Sequence, residues 1–230
     1  GEGEIVFKDG SRYQGSLAGG RFQGDGVFTS ASGWRYEGYF DTGALSGEGV
    51  ITTENGDTLF RGPDEVFRFL SAEGWEYVGA ANERGQTGQG RFTFADGSVY
   101  EGKFVFGFAE GLGLYTTADG RKIYEGGFKA GLFDGQGVYE APDGNLGYTG
   151  GFQSGIFAGQ GTLSERGAVR YIGEFKAGHP EGRGVYYSPD GWSYTGFFKA
   201  GLFDGEGTIK EKNGQSFSGL WEKGTQIKNG

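Results

Sequence analysis

The 230-residue sequence contains no cysteine and no methionine, only one histidine, and four prolines. Without cysteine there is no disulfide framework, no thiolate metal site and no thiol nucleophile. The single His179 has no partner carboxylate at a fixed spacing, so it reads as a loop residue and not as a catalytic base. No apolar run approaches the roughly 20 residues that span a bilayer, and no charged-then-apolar leader opens the chain, so a soluble protein is expected. There is no Asn-x-Ser/Thr acceptor, which favours an intracellular location. Lys/Arg clusters are also missing and the net charge is −9, which opposes binding to nucleic acid and disfavours anionic lipid. A chain that starts at Gly1 and has no methionine is expected to be a processed form or a piece of something longer.

What the sequence has in excess is glycine, 52 residues, alternating with 13 Tyr, 21 Phe and 4 Trp. The glycines do not recur every third residue, which removes collagen, and the aromatics remove a disordered linker. They belong to a repeat. The stretch from Tyr124 to Gly144, YEGGFKAGLFDGQGVYEAPDG, has an aromatic pair around Gly126, a mid-repeat Gly131, the pair Gly135 and Gly137, and a closing Asp143-Gly144. The aromatic anchor returns at Tyr77, Tyr100, Tyr124, Tyr148, Tyr171, Tyr194 and Phe217, a period of 23 or 24 residues. Earlier copies begin at Tyr13 and Tyr36, and half-units stand at both ends. A period of this size marks units too small to fold alone that stack on their neighbours.

Within a unit Tyr, Gly and aromatic sit at i, i+2 and i+4, so in a strand they share one face. These anchors are Tyr100, Gly102 and Phe104; Tyr124, Gly126 and Phe128; Tyr148, Gly150 and Phe152; Tyr171, Gly173 and Phe175; and Tyr194, Gly196 and Phe198. Gly135-x-Gly137-x-Tyr139 forms a second strand with Val138 on its other face, and Asp143-Gly144 makes the tight turn to the next unit. Rings laid over bare glycine backbone recover burial that an interior glycine forfeits. The expected fold is all-β: an elongated, single-layer, twisted and open antiparallel β-meander ribbon of repeated hairpins, one array over residues 1–230. One unit is irregular, at 60–76. Its anchor is Phe60-x-Gly62 and the next anchor follows after 17 residues, so a shortened hairpin is expected, with a turn at Gly62-Pro63-Asp64 and a strand from Glu65 to Leu70.

The combination Y-x-G-x-F, mid-repeat Gly, G-x-G and D-G at this period resembles the MORN repeat, the membrane occupation and recognition nexus motif, in about nine units over almost the whole chain. The resemblance implies a non-catalytic scaffold that positions a partner protein in a cytoskeletal, ciliary or membrane-associated assembly within the cell. The alternatives it leaves are a phosphoinositide-directed membrane module and the regulatory repeats of an enzyme whose catalytic domain lies elsewhere. The recurring Lys103, Lys129, Lys176 and Lys199 belong to the first alternative.

This chain departs from the family in one place. Where MORN repeats commonly carry polar residues between the mid-repeat Gly and G-x-G, it carries Leu132-Phe133, Ile156-Phe157 and Leu202-Phe203, with single counterparts Phe22, Leu45 and Phe108; only His179-Pro180 keeps the polar form. These apolar arms either fold back over the sheet, form a groove wall for a partner helix or extended segment, or mediate self-association. The aromatics invite a sugar-binding reading, but their glycine-paired spacing is explained by packing. The Asp-Gly turns at Asp9, Asp96, Asp119, Asp143 and Asp190 offer one carboxylate each where Ca²⁺ needs six to eight oxygens, and the Gly-x-Gly pairs lack the helix and Lys-Ser/Thr of a phosphate cradle. Neither metal nor cofactor is expected.

Overall fold

Within each of two compact units, the strands that the structure describes pair antiparallel with their neighbours along the chain. The computed structural model describes residues 1–62, 66–82 and 85–229. Among them there are twenty-one strands and no helix, and they group into two compact units, residues 1–107 and 108–230.

The first unit holds β1 (Glu2–Val6), β2 (Arg12–Ala18), β3 (Arg21–Thr29), β4 (Arg35–Asp41), β5 (Ala44–Thr52), β6 (Thr58–Arg61), β7 (Val66–Leu70), β8 (Glu76–Asn82), β9 (Gly85–Thr93) and β10 (Val99–Val105). The second holds β11 (Phe108–Thr116), β12 (Lys122–Lys129), β13 (Leu132–Glu140), β14 (Leu146–Gln153), β15 (Ile156–Glu165), β16 (Ala168–Lys176), β17 (His179–Tyr187), β18 (Ser193–Lys199), β19 (Leu202–Lys210), β20 (Ser216–Glu222) and β21 (Thr225–Asn229). Within the first unit β1 pairs with β2 alone, and within the second β21 pairs with β20 alone, so among the described residues each unit ends on an open strand edge.

One repeat, β12 and β13, shows how the sequence produces this. Tyr124 faces Tyr139 and Gly126 faces Gly137, after which the register shifts and Phe128 faces Phe133. Three residues, Asp134 to Gln136, therefore stand against Gly127 alone, a bulge that takes the Gly127 carbonyl out of the β12–β13 ladder. The Tyr124 hydroxyl donates to that carbonyl at 2.8 Å. Tyr13, Tyr36, Tyr77, Tyr100, Tyr148, Tyr171 and Tyr194 each do the same to the carbonyl three residues on, so the repeat carries its own partner for the group the bulge frees.

To reach that carbonyl the ring lies flat across its own strand and the next, where a Cβ on Gly137 would stand 2.5 Å from the Tyr124 ring and hydroxyl. The aromatic-over-glycine packing read from the sequence is thus the core of the fold. Between repeats the rings interlock edge to face. Phe152 meets both Tyr148 of its own repeat and Tyr124 of the preceding one at 5.1 Å; Phe40 bridges Tyr13 and Tyr36 in this way, and Phe104 bridges Tyr77 and Tyr100. Each such pair contributes about 0.5–1.5 kcal/mol beyond the area it buries. The anchor tyrosines are almost wholly buried in consequence.

Two kinds of turn alternate. Inside a repeat, Lys129 and Leu132 are joined by Ala130 and Gly131 with φ of 49° and 82°, positive at both central positions as a type I′ turn requires. Between repeats a three-residue loop carries the glycine at positive φ, as at Gly10, or a four-residue loop does, as at Gly144. There the aspartate carboxylate accepts the N–H two residues on, at 2.9 Å for Asp9 to Ser11, Asp96 to Ser98 and Asp143 to Asn145. The irregular unit is a shortened hairpin, four pairs from Thr58↔Leu70 to Arg61↔Phe67. The turn expected at Gly62-Pro63-Asp64 and the start of the strand expected from Glu65 involve residues 63–65, which lie outside the described residues.

Candidate partner-binding surface

The apolar arms are divided by the sheet itself. Adjacent residues in a strand point to opposite faces, so Leu132-Phe133 cannot form one ridge. Phe22, Phe133, Phe157 and Phe203 turn to the tyrosine face and lie flat on Tyr13, Tyr124, Tyr148 and Tyr194, with ring centroids 3.7, 3.8, 3.8 and 3.9 Å apart. They complete the core. Leu45 occupies the same register, opposite Phe40 as Phe133 is opposite Phe128, and is partly exposed.

Leu132, Ile156 and Leu202 point the other way and stand opposite Lys129, Gln153 and Lys199 at the mouths of the type I′ hairpins. They are 51%, 50% and 49% exposed, and Phe108, first residue of β11, is 58% exposed. Phe108, Ile156 and Leu202 lean on the turn of the following hairpin. The Ile156 side chain lies 3.3 Å from the position a Cβ would take on Gly178, Phe108 3.8 Å from that of Gly131, and Leu202 3.9 Å from that of Gly224.

The backbone holds this edge in step. The N–H of Gly155 donates to the Phe133 carbonyl of the preceding hairpin, and Gly178 to Phe157, Gly201 to Pro180 and Gly224 to Phe203 do likewise. Acidic side chains reinforce it: Asp134, Glu181 and Asp204 accept the backbone N–H of Ser154, Ala200 and Lys223. The second unit therefore presents an apolar stripe, Phe108, Leu132, Ile156 and Leu202, whose positions recur about every 10 Å from hairpin to hairpin, with one position between Ile156 and Leu202 held by a polar residue. His179, expected in a loop, instead opens β17, opposite Lys176, and takes the stripe position in its repeat, exposed.

The face away from the tyrosines holds a feature that the sequence reading missed. A groove of about 890 Å³ in the second unit runs over the paired glycines of β16 to β20. Ile172, Val185, Thr195, Thr208 and Ser218 form one cross-strand row in it, and the Arg183 guanidinium lies 4.9 Å above the Phe197 ring. The signal for that row was the residue between each Gly and the core-facing anchor, a ring at every position but Ile209, which reads as scattered until strand register aligns it.

Electrostatics at the tyrosine face follow burial. Desolvation pushes the Tyr124 hydroxyl up to about 12, with the Asp134 charge adding to it, and pushes Tyr171 up to about 12, aided by Glu174 and Glu181. Among the described residues no three His, Asp or Glu side chains converge as metal ligands. No helix there is long and apolar enough to cross a membrane.

The family model described as MORN repeat matches residues 13–35, 36–58, 83–99, 100–120, 124–146, 148–164, 171–193 and 194–216. No curated protein matches the chain in sequence. Among solved structures the chain is similar to the TCP10 domain of Danio rerio CPAP, at 14% identity and a TM-score of 0.42, covering 99% of this chain and 98% of that one. It is also similar to the SAS-4 (dCPAP) TCP domain of Drosophila melanogaster, solved with a proline-rich motif of Ana2, at 12% identity and a TM-score of 0.32, covering 76% and 85%. Likeness this loose carries no argument about what the present chain binds.

Proposed function

Because this chain belongs to the MORN repeat family, in which the repeat builds a frame for other groups, we propose that it is a non-catalytic scaffold whose second unit docks a partner protein. The observation that carries this reading is the stripe of Phe108, Leu132, Ile156 and Leu202, half-exposed apolar side chains at equivalent positions of their hairpins along one edge, interrupted once by His179. Their exposed halves contribute little to the fold, and contiguous apolar surface of this kind marks interaction sites. The partner segment is helical or extended, and the assembly it serves is cytoskeletal, ciliary or membrane-associated.

The test replaces Leu132, Ile156 and Leu202 together by serine, and separately places a photo-crosslinking residue at Ile156 or, as control, at Asp143. The triple variant is expected to melt close to the wild type while losing at least tenfold in partner affinity, and Ile156 but not Asp143 is expected to cross-link a partner. Unchanged affinity, or cross-links from both positions alike, would sink the proposal.

One observation favours a second reading, an anionic-lipid surface. Lys129 and Lys199 stand directly across from Leu132 and Leu202, so cations flank the stripe. The net charge of −9 weighs against it. Salt-sensitive sedimentation of the protein with phosphoinositide-containing vesicles, absent with phosphatidylcholine alone, would favour lipid over protein.

A further inference from the structure

Four anchor tyrosines carry a phenylalanine ring flat on their face. At Tyr171 the residue in that register is Pro180. It stands across from Phe175 as Phe157 stands across from Phe152 and Phe203 across from Phe198. Its carbonyl accepts the N–H of Gly201 as that of Phe157 accepts Gly178. The register at Pro180 is therefore that of its neighbours, although the bulge here falls one residue earlier, between Gly173 and Glu174. A second reduction comes from the preceding strand, where Leu163 stands against Tyr171 in the place that Tyr139 holds against Tyr148.

The two smaller side chains leave a cavity of about 470 Å³, walled by Leu163, Tyr171, Tyr186, Trp192, Phe198 and Phe203. An apolar cavity of about 150 Å³ already holds a benzene ring, so this one has room for a ring and part of the chain that bears it. Its rim carries Arg170 and Glu165, paired at 3.4 Å. It also includes Leu202, the last member of the exposed stripe. A segment lying along Leu132, Ile156 and Leu202 passes its mouth.

We propose that this cavity takes one aromatic side chain, Phe, Tyr or Trp, from a partner polypeptide, seated on Tyr171 as Phe157 is seated on Tyr148. The occupant is specified by the protein's own filled sites: the same register, the same tyrosine floor and a parallel ring at 3.8 Å. Aromatic side chains in desolvated pockets dominate the energetics of many interfaces. The assignment rests on the scaffold reading only in taking the ring from a polypeptide; the ring site itself stands on the cavity.

The experiment titrates the whole chain, isotopically labelled, with N-acetyl-phenylalanine amide, N-acetyl-tryptophan amide, N-acetyl-leucine amide and toluene, following the ring resonances of Tyr171 and Trp192. The two aromatic amides are expected to shift both residues saturably, with the leucine amide at least tenfold weaker. Pro180→Phe, which supplies the ring from the chain itself, is expected to weaken the aromatic amides at least tenfold while melting at or above the wild-type temperature. Should that variant misfold, Leu163→Tyr narrows the cavity from the other wall and is expected to weaken them likewise. The proposal is overturned if the aromatic amides leave both residues unmoved, if the leucine amide matches them, or if a folded variant binds as well as wild type. Binding of toluene with no binding of either capped amide overturns the polypeptide source. A failure here leaves the stripe and its cross-links untouched, and a failure of cross-linking at Ile156 leaves these titrations interpretable.

Discussion

Tyr124 accounts for the glycines around it. Its ring is fixed from two sides, by the hydroxyl's bond to the Gly127 carbonyl at 2.8 Å and by Phe133 stacked 3.8 Å away, so it cannot retreat from its floor. Gly137 is that floor, and a methyl group added there would sit 2.5 Å from the ring. Gly137→Ala is therefore expected to destabilise the second unit by about 3 kcal/mol, the upper range for overpacking a rigid core, read as a lower urea midpoint. If the variant unfolded within about 0.5 kcal/mol of wild type, the ring would have to be mobile and not held between its hydrogen bond and its stacked neighbour.

At the scale of the hairpin, the type I′ turn places Ala130 at a φ of 49°, where an L-residue with a Cβ is strained by roughly 1–2 kcal/mol and asparagine or glycine is at home. Ala130→Asn keeps the N–H that Glu110 accepts at 3.1 Å and is expected to stabilise the protein by up to about 1 kcal/mol, seen as a higher melting temperature. A lower melting temperature would show that the alanine methyl is packed and not strained. The hairpin itself was legible in the sequence because Tyr, Gly and Phe at i, i+2 and i+4 define a face without ambiguity, and the missing length at 60–76 announced its shortened pair of strands. The apolar arms were legible only as composition. Which of Leu132 and Phe133 faces the core depends on the bulge at Gly127, which opposes three residues to one and is set by the hydroxyl of Tyr124, a contact that no spacing rule displays. The same gap hid the cavity over Tyr171. His179-Pro180 stood out as the polar exception, but that Pro180 replaces a ring appears only once strand register sets it beside Phe157 and Phe203.

In the molecule as a whole each strand answers to its neighbours, so a perturbation shared by every repeat acts on all of them together. The buried phenols are such a lever. Burial raises the hydroxyls of Tyr13, Tyr36, Tyr77, Tyr124, Tyr148, Tyr171 and Tyr194 above the ordinary value of 10.0, to about 12 for Tyr124 and Tyr171. A phenol whose value is higher folded than unfolded stabilises the fold in full below pH 10, and that contribution is lost as pH rises towards 12. On the acid side the turn carboxylates act in the opposite sense. The hydroxyls of Ser11, Ser98 and Thr117 and the N–H of Asn145 hold Asp9, Asp96, Asp119 and Asp143 below 3.8, so their contribution is present above that value and disappears as pH falls below it. The expected outcome is that phenolate absorbance from the anchor tyrosines and loss of the sheet's circular dichroism rise together between pH 10 and 12. Tyr171→Phe removes one of the two most strongly shifted groups and is expected to move that transition to higher pH, even though it also removes the hydrogen bond to Glu174 at 3.0 Å and lowers stability at neutral pH. Phenolate absorbance complete near pH 10 with the sheet intact would mean that solvent reaches the rings, and the interlocked row of tyrosine and phenylalanine would not be the core of this fold.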